Sequence, residues 1–165
     1  MADSAEAAAE RRADLDQIKR MIPHRDPFLL IDSVEKIRQG ESAVGVKPVT
    51  GDEEFFRGHF PGEPIFPGVL MVEGMAQTAG VLVVDTLDMI DQNLLVYFMT
   101  VDKTRFRRLV RPGDTLEFHV RILRGRGKVW KFYGEARVGD DVAAEAEYSA
   151  MIITPDDPRR PKAGA

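Results

Sequence analysis

Two side chains that can move a proton, His59 and Glu73, flank the start of one predicted helix. His59 lies in a loop with prolines at 61, 64 and 67, and proline restricts the backbone in a way that helps to aim a side chain. Glu73 is the single charged residue from 69 to 84, in a run that is otherwise mostly apolar. An imidazole titrates near neutral pH and can serve as a base, while a carboxyl in a dry place can serve as an acid. The two residues together indicate an enzyme.

Each of these residues also has a structural interpretation. A buried carboxylate is costly unless it is paired or protonated, so Glu73 can instead bond to backbone amides or an arginine, or lie at a subunit interface. A lone histidine in a loop can be structural or exposed to solvent. The residue patterns alone leave these interpretations open.

The start of the helix adds a third chemical group. Pro67 and Gly68 open it, and the first amides of a helix are unpaired and carry the positive end of its dipole. Such an end can polarise a carbonyl group, and Gly68 has no side chain to block the approach. Glu73 lies about 7.5 Å further along the axis, at a rise of ~1.5 Å per residue. A base, an oxyanion donor and an acid in this order predict α-proton abstraction and β-elimination on an acyl substrate.

The predicted helix spans residues 69–88 and is apolar on all sides, which is typical of a helix that is buried all round or crosses a membrane. A membrane span needs about 20 apolar residues, and Glu73 and Gln77 interrupt this run, so burial is favoured. Gln77 follows Glu73 by one turn and can orient the carboxyl group. Small residues would let a sheet approach the helix closely, at Gly74, Ala76, Ala79 and Gly80.

The remaining pattern is mostly that of β-structure. Alternation of apolar and polar residues after 115 predicts a three-stranded antiparallel meander with one buried face. Further strands are predicted at 28–37, 42–49 and 94–101, and a short helix begins at Asp14, where Gln17 completes a capping box. The predicted fold class is α+β, with one long buried helix wrapped by a curved antiparallel sheet.

Length and composition narrow the function classes. A chain of 165 residues fits one domain, predicted at 14–153 with disordered tails at 1–13 and 154–165. The net charge of −4 argues against a nucleic-acid binder. The absence of cysteine excludes disulfides and thiolate chemistry and suits a cytoplasmic location, and the first residues lack the apolar core of a signal peptide.

Three ordered motifs carry a resemblance to a known family. The segment 58–77, with 23–32 before it and 105–114 after it, resembles the FabZ-type (3R)-hydroxyacyl-[acyl-carrier-protein] dehydratases of type II fatty acid synthesis. The resemblance covers roughly residues 15–153. It implies a hot-dog fold and homodimers with active sites across the subunit interface, commonly assembled as trimers of dimers. It also implies an acyl carrier protein with a phosphopantetheine-linked acyl chain as partner, and no cofactor.

The resemblance also implies roles for single residues. His59 matches the catalytic histidine, and Glu73 of the partner subunit matches the catalytic carboxylate. Gly68 matches the position whose amide binds the thioester carbonyl, with Gln77 beside the substrate, and Tyr97 resembles the tyrosine that gates the acyl tunnel. Related dehydratase-isomerases carry aspartate at the position of Glu73, so glutamate favours a plain dehydratase that yields the trans-2-enoyl product.

Some features remain open to other interpretations. A thioesterase of the same fold, or a noncatalytic acyl-binding subunit, is the alternative function. A cluster of basic residues is predicted to dock the acidic carrier protein, with a merely solvated strand face as its alternative: Lys103, Arg105, Arg107 and Arg108. His24 is expected to shape its loop and His119 to point to solvent. With only three histidines and no paired ligand motif, no metal site is expected.

Overall fold

The computed structural model describes residues 10–162 as one antiparallel sheet around a long helix. Seven strands lie in the order β1-β2-β3-β5-β6-β7-β4, so that β1 and β4 are the two edges of an open sheet. The elements in chain order are β1 (Arg11–Ala13), α1 (Leu15–Met21), β2 (Ser33–Arg38), β3 (Ser42–Pro48), a 3-10 turn (Glu54–Arg57), α2 (Gly68–Leu87), β4 (Leu95–Phe106), β5 (Thr115–Arg126), β6 (Val129–Val138) and β7 (Asp141–Ile153). The predicted fold class is confirmed.

Helix α2 forms the centre of the core. Every residue from 71 to 85 is buried except Glu73, which is half-buried. A β-carbon on Gly74 would lie 2.3 Å from the Phe118 ring of β5, so only glycine allows this close approach. The buried Tyr148 hydroxyl of β7 donates a hydrogen bond to the Met75 carbonyl oxygen at 2.9 Å, and burial raises the pKa of this tyrosine. The prediction that small residues admit the sheet is therefore confirmed at Gly74.

The buried position of α2 at the centre of the core explains why this helix is apolar on all sides. By length and composition the helix could span a membrane, but 78% of its most apolar window is buried inside the protein. The surrounding strands β5, β6 and β7 cover it with alternate residues, as the meander pattern predicts. Its apolar surface is thus matched by the sheet.

The ends of several elements differ from the sequence-based expectations. Helix α1 begins as predicted, with Asp14 and Gln17 forming the capping box. Residues 11–13 form β1 along β2, so the domain boundary placed at 14 misses a strand, while residues 1–9 lie outside the described residues. Strand β2 begins at Ser33 rather than at 28, because Pro27 cannot donate to a ladder and Phe28 turns back to bond the Arg25 carbonyl.

The segment after β7 also differs from the expected disordered tail. Residues 154–162 form turns against the sheet, with Asp157 buried. Its carboxylate accepts hydrogen bonds from Lys128 at 2.9 Å and from Arg159 at 2.7 Å. Arg160 donates to the Asn93 carbonyl oxygen at 2.7 Å. The charged residues Asp157 and Arg160, which were expected to lie in a disordered tail, thus form hydrogen bonds with Lys128 and Asn93 of the folded domain.

Candidate active site

The loop that carries His59 is closed by pairs of backbone hydrogen bonds. The Ile65 amide donates to the His59 carbonyl oxygen at 3.1 Å. The backbone amides of Phe60 and Glu63 each donate to the other's carbonyl oxygen at 2.9 Å. The Nδ1 atom of His59 lies 2.8 Å from the Ile65 carbonyl oxygen. A carbonyl oxygen can only accept, so Nδ1 carries the proton and Nε2 carries the lone pair. The geometry therefore presents Nε2 of a half-buried imidazole as a proton acceptor.

Buried aromatic rings anchor this loop to the core. Phe66 is 1% exposed and meets Phe55 edge to face, with 5.0 Å between the ring centroids. Its amide donates to the Val110 carbonyl oxygen at 2.8 Å. Before the loop, the Lys47 ammonium lies 3.2 Å from the Glu53 carboxylate, and both side chains are largely buried. These contacts fix both ends of the segment that aims His59.

Gly68 begins α2, as expected, with Pro67 as its N-cap. Among residues 10–162 no side chain caps this end, so the Gly68 amide is not taken by a cap, whereas the Leu70 amide already donates to the Pro67 carbonyl oxygen at 3.0 Å. A β-carbon on Gly68 would come within 2.8 Å of the Phe106 ring of β4. The close approach of β4 thus requires glycine at this position. Because glycine has no side chain, nothing of Gly68 itself shields its amide.

Two side-chain nitrogens lie beside the carboxyl group of Glu73, one of them in a hydrogen bond. The Nε2 atom of Gln77 donates to Oε1 of Glu73 at 3.0 Å, as the spacing of one helical turn predicts. The Nε2 atom of His24 lies 3.3 Å from the same oxygen. The Glu73 side chain is 17% exposed. The carboxyl group is therefore oriented from two sides and retains limited access to solvent.

Gln77 links this carboxyl group to the loop between α1 and β2. Its Nε2 also donates to the Phe28 carbonyl oxygen at 2.8 Å, and its Oε1 accepts from the Leu30 amide at 2.8 Å. The side chain is 1% exposed, so these bonds fix its orientation. Gln77 acts in this structure on Glu73 and on the backbone of the loop.

His59 and Glu73 do not meet within one chain. Among residues 10–162 no hydrogen bond or ion pair joins them, and the small cavity beside Glu73, about 20 Å³, is lined by other residues: His24, Ala76, Val96 and Phe98. Tyr97 lies on the opposite face of β4 from Val96 and Phe98, and 60% of it is exposed. Within the described residues, His59 and Glu73 therefore have separate sets of partners.

The predicted docking residues are mostly paired with acids. Lys103 lies 3.7 Å from Glu147, and Arg107 donates to Glu145 at 2.8 Å. That hydrogen bond, followed by the charge of Glu145, raises the pKa of Arg107. Arg108 bonds Asp141 at 2.7 Å, whereas no ion pair of Arg105 is found within the described part of the chain. The surface is therefore less positive than the sequence cluster suggests.

The comparisons with known proteins agree over nearly the whole chain. Residues 22–147 match the family model of the FabA-like domain. The chain is 55% identical over 155 residues to 3-hydroxyacyl-[acyl-carrier-protein] dehydratase FabZ of Cereibacter sphaeroides, covering 94% of this chain and 99% of that protein. It is 56% identical over 140 residues to the protein of the same name from Paramagnetospirillum magneticum, covering 85% and 87%. The chain belongs to the FabZ-type dehydratases of the FabA-like family.

A solved structure shows the same fold for this FabZ-type chain. A chain of the dehydratase heterocomplex ApeI:P from Xenorhabdus doucetiae superimposes with a TM-score of 0.74 at 19% identity, covering 86% of this chain and 93% of that one. The predicted hot-dog fold is confirmed.

Sequence reasoning did not anticipate one contact in this FabZ-type chain, that of His24 with Glu73. His24 was expected to shape its loop, yet its ring touches the Glu73 carboxyl group. The signal available in the sequence was its place in the 23–32 motif, but sequence spacing does not reveal that this loop packs on α2. Within residues 10–162 no group of three potential ligands is placed to hold a metal ion. The prediction that the enzyme needs no metal or cofactor remains a prediction.

Proposed function

We propose that this chain removes water from a (3R)-hydroxyacyl thioester on acyl carrier protein, with His59 as the base and Glu73 as the acid. The reaction class follows from the family: the protein is a hydro-lyase, a 3-hydroxyacyl-[acyl-carrier-protein] dehydratase of fatty acid synthesis. The near-complete alignment with FabZ carries this conclusion. The roles of the individual residues rest on the site geometry.

The proposed reaction begins with a proton transfer to His59. Its Nε2 lone pair takes a proton from C2 of the acyl chain, since Nδ1 is already occupied by its bond to the Ile65 carbonyl. The negative charge that develops on the thioester oxygen is stabilised by the Gly68 amide at the positive end of α2. Glu73 gives a proton to the C3 hydroxyl as the C–O bond breaks. The products are the trans-2-enoyl thioester and water.

We place the base and the acid of one site on two subunits. Support comes from the lack of any bond between His59 and Glu73 among residues 10–162, and from the apolar side chains that β4 and the start of α2 leave exposed. These are Val69, Tyr97, Met99, Val101 and Phe106, which are 45–71% exposed. Contiguous exposed apolar surface of this kind marks an interaction site. A second copy of the chain against β4 would cover it, and we propose a trimer of such dimers as the full assembly.

We propose that the acyl chain enters beside Tyr97 and that Lys103, Arg105, Arg107 and Arg108 receive the carrier protein. Tyr97 is exposed on β4, the strand whose other face carries Val96 and Phe98 of the cavity beside Glu73. Arg105 supports docking best, because the other three cations already contact carboxylates.

The cytoplasmic location remains a prediction.

One experiment tests the activity and its base together. Purified protein is incubated with a (3R)-hydroxyacyl thioester on acyl carrier protein, and the product is followed by mass spectrometry beside the His59→Ala variant. We expect loss of one water with wild-type protein and almost none with the variant. Release of free acid and thiol would instead show a thioesterase. Wild-type rates in the folded variant would remove His59 from the mechanism.

A further inference from the structure

His24 lies against the catalytic carboxyl group although it belongs to another element. It is carried by the loop between α1 and β2, and its side chain is 18% exposed. The Arg25 guanidinium holds this loop by donating to the carbonyl oxygens of Lys19 at 2.8 Å, Ile22 at 3.0 Å and His24 at 2.7 Å. The backbone position of His24 is therefore set by contacts that are independent of Glu73.

The two ring nitrogens of His24 have different surroundings. Nε2 faces Oε1 of Glu73, whereas Nδ1 is buried and has no hydrogen-bond partner among residues 10–162. A proton on Nδ1 would be buried without an acceptor and would leave the Nε2 lone pair facing the carboxyl oxygen, so the proton of the neutral ring belongs on Nε2. His59 has the opposite tautomer, with its proton on Nδ1. The two histidines thus differ in role: Nε2 of His59 accepts and Nε2 of His24 donates.

Both donors around Glu73 meet the same oxygen. His24 at 3.3 Å and Gln77 at 3.0 Å both approach Oε1. A carboxyl oxygen has two lone pairs, so the hydrogen bond from Gln77 together with one from the nearby His24 would fill Oε1 and leave Oε2 for a proton or a substrate. If Oε1 of Glu73 accepts both hydrogen bonds, the acidic proton of the protonated carboxyl group must lie on Oε2.

We propose that His24 is a positioning residue that, with Gln77, makes Oε2 the proton-donating atom of Glu73. This inference rests on the proposed acid role of Glu73. His24 donates its Nε2–H to Oε1, turns the carboxyl plane toward the substrate and prevents the proton from residing on the wrong oxygen. It takes no proton itself and forms no bond with the substrate.

The first test compares two replacements of His24. Leucine preserves bulk without a donor, and the amide nitrogen of glutamine can reach the place of Nε2. We expect His24→Leu to lower kcat at least about tenfold with little change in KM, since one hydrogen bond that orients the acid is lost, and His24→Gln to recover most of the rate. His119→Leu, on the outer face of β5, is the matched control and should retain its rate. An unchanged kcat in folded His24→Leu, or equal losses in both folded variants, would overturn the proposal.

A double-mutant cycle separates positioning from general damage. In a Glu73→Gln background no acidic proton remains to be positioned, so His24→Leu should cause no further loss of the residual rate. The same fold-loss in both backgrounds would show that His24 acts elsewhere. If Glu73→Gln alone turned over at the wild-type rate, the acid role itself would fail. If Glu73→Gln is slow while His24→Leu is not, only the present inference fails.

A spectroscopic test uses the wild-type protein, so its result does not depend on whether a variant folds. The chain has three histidines, so nitrogen–proton correlations of its labelled imidazoles give a simple NMR spectrum. We expect His24 to show the tautomer protonated at Nε2 and His59 the one protonated at Nδ1. Protonation of neutral His24 at Nδ1 would contradict the proposal directly.

Discussion

Lys128 and Asp157 form an ion pair, with 2.9 Å between Nζ and Oδ2, that fastens the segment after β7 to the turn between β5 and β6. The Asp157 side chain has no exposed surface. Hydrogen bonds from Arg159, followed by that from Lys128, hold the pKa of Asp157 well below its usual range. The carboxylate therefore stabilises the folded chain only while it is ionised.

Replacement of Asp157 by asparagine should lower the melting temperature at neutral pH, because two cations lose their negatively charged partner. The folded-state pKa is depressed, so the wild-type advantage is present above the unfolded value of about 4 and declines as the pH falls below it. Thermal unfolding at pH 7 and pH 3 measures this. The difference between wild type and variant should be smaller at pH 3. Asp140→Asn, at an exposed position in the turn between β6 and β7, is the control, and an equal difference at both pH values would contradict the ion-pair explanation.

Replacement of Glu73 by glutamine should abolish most turnover while the protein remains folded. The amide keeps the size of the side chain but cannot donate an acidic proton, and a general acid contributes typically 10²–10⁴-fold. Steady-state kinetics should show the loss in kcat. Glu63→Gln, an exposed glutamate of the His59 loop, is the matched control and should retain activity.

Replacement of Gly68 by alanine should slow the enzyme by displacing the start of α2. The new β-carbon would come within 2.8 Å of Phe106, so either the ring or the helix end must move. Removal of an oxyanion donor costs about 10²–10³-fold in kcat, and a displaced donor should lose part of this. Gly58→Ala provides the control, since its β-carbon would meet nothing within 4 Å. Equal kinetics for the two variants would remove Gly68 from the oxyanion role.

Mixing two inactive variants tests whether one site spans two subunits. In a mixed dimer of His59→Ala and Glu73→Gln, one of the two sites combines an intact base with an intact acid. Random exchange should therefore restore about a quarter of wild-type turnover, because half of the dimers are mixed and each has one intact site. The mixture is assayed after joint unfolding and refolding. Persistent inactivity of a demonstrably mixed dimer would place both residues of a site in one chain.

Reversal of charge at Arg105 tests carrier-protein docking. Arg105→Glu should raise KM for the carrier-linked substrate, and less so in high salt, because exposed charges are screened over about 8–10 Å. The KM of a carrier-free thioester should remain unchanged. Arg124→Glu, in an exposed part of β5, is the control. A similar rise for both substrates would indicate damage to the acyl site rather than lost docking.

The sequence was sufficient for the helix and most of the sheet because their patterns are local. The all-apolar run of α2 and the alternation of β5, β6 and β7 each predict an element that the structure contains. Asp14 and Gln17 even specify the cap of α1. Strand β1 was missed because three charged or small residues have no alternation to detect, and its existence depends on pairing with β2.

Contacts within the site were harder to predict because they join distant segments. The pairing of Gln77 with Glu73 follows from helical spacing, and the structure contains it. The approach of His24 to Glu73 depends on how a loop packs across the helix, which no periodicity encodes. The basic cluster was overestimated for a related reason: its carboxylate partners Glu145 and Glu147 lie on β7, far along the chain.

Gln77 bonds the backbone of the 23–32 loop and the Glu73 carboxyl group through a single amide. Movement of that loop would disturb the Glu73 carboxyl group. The Gln77 amide could follow the loop only by breaking its hydrogen bond to Glu73, or keep that bond only by breaking its bonds to the loop. A small molecule that wedges the loop away from α2 would thus inhibit the enzyme without occupying the place of the thioester. Such inhibition would be noncompetitive with substrate.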